Sequence, residues 1–346
     1  MQGQAIITKT NYSSRRNVIL LVAAFAAVYI FWGSTYLAIK YAIETLPPFL
    51  MAGARFIFAG SILYVWALVS KDYEKPSAAH WKTSFIVGTL LLLGGNGGVV
   101  FAEHYISSSL AALLVATEPF WIVLLGWLWL KGARPNLKVA LGLVIGFLGV
   151  WLLISGQNTS GTGAGAASAG DSMQIISTIA IIAAAFSWAV GSIYGLRSPV
   201  PKSSLLTAGM QMISGGSVLL LVSLLLGEWS KFSLAEVSAN SWFGLIYLII
   251  FGSLIGFTAY SWLLKNAPPA MVATYAYVNP VIAVFLGWLI ANESFTGQML
   301  LGASVIVGSV VLITSQNKEK EETLPENEIH ESQIPPENSR ALSASA

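Results

Sequence analysis

Ten stretches of this sequence are each about twenty residues long and nearly free of charge, at roughly 18–39, 49–70, 83–102, 108–130, 137–155, 173–196, 204–226, 242–263, 269–291 and 297–315. About twenty apolar residues at a rise of ~1.5 Å each match the hydrocarbon thickness of a bilayer. Inside that layer every backbone polar group has to be satisfied by the chain itself, and unbroken apolar runs of this length achieve that as helices. The sequence therefore predicts an all-α integral membrane protein with ten transmembrane helices. Composition agrees: 10% of the residues are charged, against about 25% in soluble chains. The first run is too long for the apolar core of a cleavable leader and is read as a retained span.

The spans repeat. Thr117-Glu118-Pro119 through Leu128 returns, altered, as Val278-Asn279-Pro280 through Leu289, with proline, glycine, tryptophan and leucine coinciding at an offset of 161 residues. Trp32 matches Trp188, Gly53 matches Gly209 and Gly60 matches Gly216 at an offset of 156. The chain thus divides into an N-terminal segment (1–17), a five-span unit (18–155), a Gly/Ala/Ser/Thr-rich outer linker (156–172), a second five-span unit (173–315) and an acidic, proline-containing tail (316–346) expected to be disordered. Five is odd, so the second unit has to enter the membrane upside down. Inverted repeats of this kind place a substrate site near mid-depth between the two halves.

Of the 18 Lys and Arg residues, 15 fall on one set of alternate loops and 2 on the other, with Arg55 inside a span. Basic loops face the cytoplasm, which puts both termini there. The sequence has no cysteine, three histidines, no H-E-x-x-H pair and no phosphate-binding P-loop. It thus calls for no metal, cofactor, direct ATP drive or nucleic acid. The expected partners are a small-molecule substrate, the lipid bilayer and protons, with a homodimer left open.

Polar residues in hydrocarbon are functional candidates. Glu118 lies about 15 Å from the start of its span, and an ionised carboxylate at that depth needs a partner or takes up a proton. It is a candidate for structural hydrogen bonding, proton coupling or direct substrate contact. Arg55, about 10 Å into the second span, is either its ion-pair partner or a site for a substrate carboxylate. The second half carries neutral counterparts, Gln211 for Arg55 and Asn279 for Glu118. Asn96 sits within Gly94-Gly95-Asn96-Gly97-Gly98, four glycines that weaken the third span; it contacts substrate or braces a neighbour. Gly252, Gly256 and Pro280 loosen the mirror half. Trp32, Tyr36, Trp188, Tyr194, Tyr260, Trp262, Tyr275 and Tyr277 form a dense aromatic set, which lines a cavity or populates the membrane interface; Tyr275 and Tyr277 lie beside Asn279. Glu103-His104 closes the third span as a solvated interfacial pair or a pH-sensitive gate.

Trp32-Gly33-Ser34-Thr35-Tyr36, Ala52-Gly53-Ala54-Arg55-Phe56, Ala102-Glu103-His104, Thr117-Glu118-Pro119 and Ala276-Tyr277-Val278-Asn279-Pro280, taken with the duplication, resemble the EamA family of the drug/metabolite transporter superfamily. The resemblance covers about residues 18–315. It implies a ten-helix inner-membrane carrier that exports amino acids or related metabolites. It also implies a central cavity lined by the first, third, fourth, sixth, eighth and ninth spans. Glu118 departs from the apolar residue common in that family before the first-repeat proline, so its role is not carried over. Efflux of hydrophobic compounds is the alternative within the class; an intramembrane enzyme and a channel are the alternatives outside it.

Overall fold

The protein is described here from a computed structural model that covers residues 15–129, 137–157, 169–267, 272, 274–293 and 297–322. Its main helices are α1 (Val18–Ala42), α2 (Pro48–Leu68), α3 (Ala78–Ala102), α4 (Ser108–Leu128), α5 (Leu137–Gln157), α6 (Ala169–Arg197), α7 (Ser204–Leu225), α8 (Ala239–Asn266), α9 (Tyr275–Ala291) and α10 (Gly297–Glu322). Among the described residues, seven helices, α1–α4 and α6–α8, are long and apolar enough to cross a membrane. The apolar parts described for α9 and α10 are shorter, Val278–Ala291 and Leu300–Ser309. Among the described residues there is no β-strand. The chain is an all-α, multi-pass membrane protein. The tail, expected to be disordered from 316, instead begins as helix and continues to Glu322. The rest of the tail, residues 1–14, most of the linker and Pro268-Pro269 lie outside the described residues.

Local sequence explains where these helices start and weaken. Pro47 is extended and Pro48 takes the first turn of α2, where a missing amide hydrogen costs nothing. Ser107, Ser203 and Ser238 open α4, α7 and α8 by accepting from Leu110, Leu206 and Ser241 amides. In α4 the helix breaks at Ala116–Thr117 and restarts at Glu118, with Pro119 in its first turn. Pro280, by contrast, stays inside α9. The glycine-weakened parts of the two halves leave α geometry in matching places: Thr89–Gly97 in α3 and Leu248–Phe257 in α8 are π-helical. A third π segment, Val28–Trp32, lies in α1. Wide turns of this kind are rare and concentrate at functional sites.

Two pairs of helices that correspond between the halves, α2 with α7 and α5 with α10, pack on each other in antiparallel fashion. In the α2–α7 contact, a Cβ on Gly216 would lie 3.2 Å from the Gly53 carbonyl, and one on Gly209 would lie 3.1 Å from the Gly60 carbonyl. Gly53 and Gly60 are themselves the counterparts of Gly209 and Gly216, so exchanging the two halves maps this contact onto itself. The α5–α10 pair follows the same rule: a Cβ on Gly146 would lie 2.8 Å from Ser309 Oγ, and one on Gly149 would lie 2.8 Å from the Ile306 side chain. Small residues permit such close approach without relying on the hydrophobic effect, which is weak between helices in lipid.

Candidate functional site

Where the three π segments meet, a cavity of about 80 Å³ opens between α1–α4, α6, α8 and α9. Trp32, Tyr36, Arg55, Asn96, Glu118, Trp188, Tyr275 and Asn279 all line it. These are eight of the eleven residues expected at a site. Gln211 lines a second cavity, of about 260 Å³, between α3, α6, α7 and α8 near Lys265. Tyr260 lies between the two: it borders the Gln211 cavity and packs on Trp32 at 4.9 Å between ring centroids. Tyr277 belongs to α9, but its side chain lies outside the described part of the structure.

The expected ion pair between Arg55 and Glu118 is not formed. Arg55, 2% exposed, donates from Nε to Ser253 Oγ at 2.7 Å, and its guanidinium carbon stands 4.6 Å over the Phe56 ring. The guanidinium also lies against Gly252, whose Cβ, if present, would be 2.7 Å from Nη2. Glu118, 2% exposed, accepts from the Tyr275 hydroxyl instead. Each group thus has one neutral partner and one atom left over. Arg55 Nη1, Glu118 Oε1 and Asn96 Oδ1 are buried without hydrogen-bond partners, and all three residues face the same cavity. A buried polar atom left unpaired costs about 1–3 kcal/mol, more when charged, so three around one space mark a place built to be filled. The Glu118 carboxylate sits in the first turn of the restarted helix, just before Pro119.

The other expected residues brace the cavity. The Trp32 indole donates to the Gly252 carbonyl at 3.0 Å, inside the α8 π segment. With its amide nitrogen turned inward, Asn279 donates to the Tyr275 and Tyr29 carbonyls at 3.2 and 3.1 Å, tying α9 to α1. Trp32 and Trp188 occupy equivalent places. Trp32 fills the space beside Gly256 and Trp188 the space beside Gly95, so that a Cβ on either glycine would come within 2.7 Å of a ring carbon.

Two features escaped the sequence reading. Ser253, the anchor of Arg55, lies in an apolar span and is matched by Leu92 in the other half, so the repeat offered no signal. The second is a latch at the end of the bundle where α1 and α9 finish and α4 starts. Lys40 Nζ is 2.9 Å from Glu293 Oε1. The same carboxylate accepts from the Ser108 amide and hydroxyl at 3.1 and 2.8 Å, and from the Ser109 amide (3.2 Å) and hydroxyl. The run Ser107-Ser108-Ser109 at the head of α4 was the available clue. Glu103, expected as a solvated interfacial residue or a gate, is 5% exposed and has no partner on either oxygen. Its solvated form is excluded. Burial, and then the nearby Glu293, push its pKa well above the usual carboxylate range, against the pull of Lys40.

Glu293 behaves in the opposite sense. Burial alone would raise its pKa, but the hydrogen bonds from Ser109, Lys40 and Ser108 outweigh it and hold the carboxyl below its ordinary value. A depressed carboxyl stabilises the fold above its unfolded pKa, near 4.3, and loses that contribution as pH falls through the folded value. The thermal midpoint difference between wild type and Glu293→Gln should therefore be constant from pH 5.5 to 8 and shrink below about pH 4. A difference that already shrinks between pH 8 and 6 would contradict this account.

Comparison with known proteins places the chain in a family. Residues 18–155 and 175–315 each match the profile of the EamA-like transporter family. The chain is 37% identical over 300 residues to a protein of Escherichia coli (strain K12) called "Uncharacterized inner membrane transporter YedA", covering 86% of this chain and 92% of that one. It is 26% identical over 294 residues to "Uncharacterized transporter YvbV" of Bacillus subtilis (strain 168), covering 85% and 91%. A solved crystal structure superposes with a TM-score of 0.59 over 88% of this chain and 99% of its own, at 19% identity, a likeness of fold alone.

Proposed function

Because the chain belongs to the EamA-like transporter family, we propose that it is a secondary carrier of the inner membrane that exports a small zwitterion, an amino acid or a close relative, by alternating access. The observation that carries this is the trio of unpaired atoms around one cavity: Arg55 Nη1, Asn96 Oδ1 and Glu118 Oε1. A guanidinium is the natural partner of a carboxylate. A carboxylate and an amide oxygen together suit an ammonium group. Hydrophobic cargo would leave all three unpaired, at a cost of several kcal/mol, which disfavours a general efflux role.

Glu118 also supplies a means of coupling. One carboxylate oxygen holds a proton or faces an ammonium, and the two occupancies exclude each other, so cargo leaving outward exchanges for a proton moving inward. The charge distribution favours both termini in the cytoplasm with ten spans in two opposed units. In that orientation the Lys40–Glu293 latch closes the outer face. The cavity holds about 80 Å³, room for roughly five waters at ~15 Å³ each. Anything larger than the smallest amino acid requires it to widen, and the three π segments on its wall are the weakest backbone available to yield.

The test is thermal unfolding of the purified protein against amino acids, their methyl esters and lipophilic cations. Ligands that bind the native state raise the midpoint. Free amino acids should stabilise wild type, methyl esters should not, and Arg55→Gln should abolish the difference between them. Stabilisation by lipophilic cations alone would overturn the zwitterion assignment.

A further inference from the structure

We propose that Tyr260 and Ser192 form a proton relay that connects Glu118 to the face of the bundle carrying Arg197, Lys202 and Lys265. The inference rests on the reading of Glu118 as the group that exchanges a proton for cargo. It adds the route by which that proton leaves.

The route is visible as a chain of spaces and hydroxyls. Behind Glu118, on the side away from the central cavity, lies a small cavity of about 20 Å³ bordered by Glu118, Tyr275, Tyr260 and Ser192. That is room for one water, which needs ~10–15 Å³ and two to four polar partners. Tyr260 and Ser192 also border the 260 Å³ cavity that reaches Lys265. These two side chains are therefore a shared wall, and their hydroxyls are its polar part; the other residues common to both cavities are Leu196 and Leu264. The groups that face Glu118 are Tyr36 from α1, Arg55 from α2, Tyr260 from α8 and Tyr275 from α9; α6 contributes Trp188 and Ser192, neither of which titrates.

The hydrogen bonds fix the direction of the two hydroxyls. The Ser192 hydroxyl donates to the Trp188 carbonyl at 2.8 Å. The Trp188 indole N–H donates to the Tyr260 oxygen at 3.3 Å. The 2.9 Å contact between the two hydroxyls then has to be Tyr260 donating to Ser192. The Tyr260 oxygen keeps one lone pair to accept from a water beside Glu118. A proton leaving Glu118 passes through that water to the Tyr260 oxygen, while Tyr260 hands its own hydrogen to Ser192. Ser192 releases its hydrogen from the Trp188 carbonyl into the wider cavity. The balance is a carboxylate left on Glu118 and one proton delivered to the Lys265 side; rotation of the two hydroxyls resets the chain. Trp188 thereby acquires a role beyond lining the central cavity: its indole and its carbonyl set the polarity of the wire.

The experiment follows hydrogen–deuterium exchange of the Glu118 carboxyl by infrared spectroscopy, using the full-length protein in lipid bilayers switched into D2O. The band is assigned as the one lost in Glu118→Gln. In Ser192→Ala and Tyr260→Phe its exchange should slow by tenfold or more, and Ser192→Thr, which keeps the hydroxyl, should restore the rate. Thermal unfolding of each variant reports whether the fold is intact, and the serine and tyrosine variants are read separately. An assigned band that exchanges within twofold of wild type in both variants overturns the relay and leaves the coupling role of Glu118 standing. Absence of any Glu118-dependent band between pH 5 and 9 overturns both together.

Discussion

Glu118→Gln is expected to lower transport about 100-fold at neutral pH and to flatten its dependence on pH. The glutamine oxygen can still accept from Tyr275, so the existing contact survives. What disappears is the carboxylate that would face a cargo ammonium at the unpaired Oε1. A hydrogen bond to a charged group contributes about 1.5–3 kcal/mol, and the upper end of that range corresponds to roughly 100-fold. Among the described residues, the same change removes the one carboxylate that lines the central cavity. It therefore also removes the competition between a proton and an ammonium on which the proposed coupling rests. Flux in proteoliposomes at pH 6, 7 and 8 is the measurement. A variant that keeps its flux within threefold and its pH profile unchanged would take Glu118 out of both roles.

Gly209→Leu is expected to prevent stable assembly. A Cβ there would lie 2.9 Å from the Tyr64 backbone nitrogen and 3.1 Å from the Gly60 carbonyl. The obstacle is backbone on both counts, so no side-chain rearrangement relieves it. Overpacking by a methylene or two costs about 1–3 kcal/mol, and a full leucine wedged between two backbones costs more. Gly209→Ala should fall inside that range. Gly126 is the control, because a Cβ at that position has nothing within 4 Å; Gly126→Ala should leave the thermal midpoint unchanged or raise it slightly. Equal midpoints for Gly209→Leu and Gly126→Ala would refute the importance of the α2–α7 contact.

The sequence carried more of the fold than of the site, for reasons that particular residues make clear. Apolar run length is a one-dimensional property, so the all-α membrane class was legible, and seven of the expected spans are long and apolar enough among the described residues. So was the weakness of α3 and α8, since Gly94-Gly95-Asn96-Gly97-Gly98 and Gly252 with Gly256 announce it; both stretches are π-helical. Depth along a span could be counted, which put Arg55 and Glu118 at reachable levels. The direction in which each side chain points around its helix could not be counted. The two groups therefore share a cavity while bonding to Ser253 and Tyr275. Gln211 illustrates a second limit. It was grouped with Arg55 because the repeat aligns them, but inversion reflects a residue to the opposite side of the midplane. The counterpart of a residue displaced toward one face belongs toward the other, beside Lys265, where Gln211 lies. The Lys40–Glu293 latch joins residues 253 positions apart, and nothing local to either announces the other.

The glycine seam between α2 and α7 looks the same from either half. In the alternating-access reading proposed for this chain it would be an impartial fulcrum: tipping one way or the other leaves its own contacts equivalent, so it cannot set which mouth rests open. In that reading the bias has to come from where the halves are chemically unlike, in arginine against glutamine, glutamate against asparagine, and the Lys40–Glu293 clasp at one end of the bundle. The matching glycines would then be the balanced beam, and the residues that differ between the halves its weights.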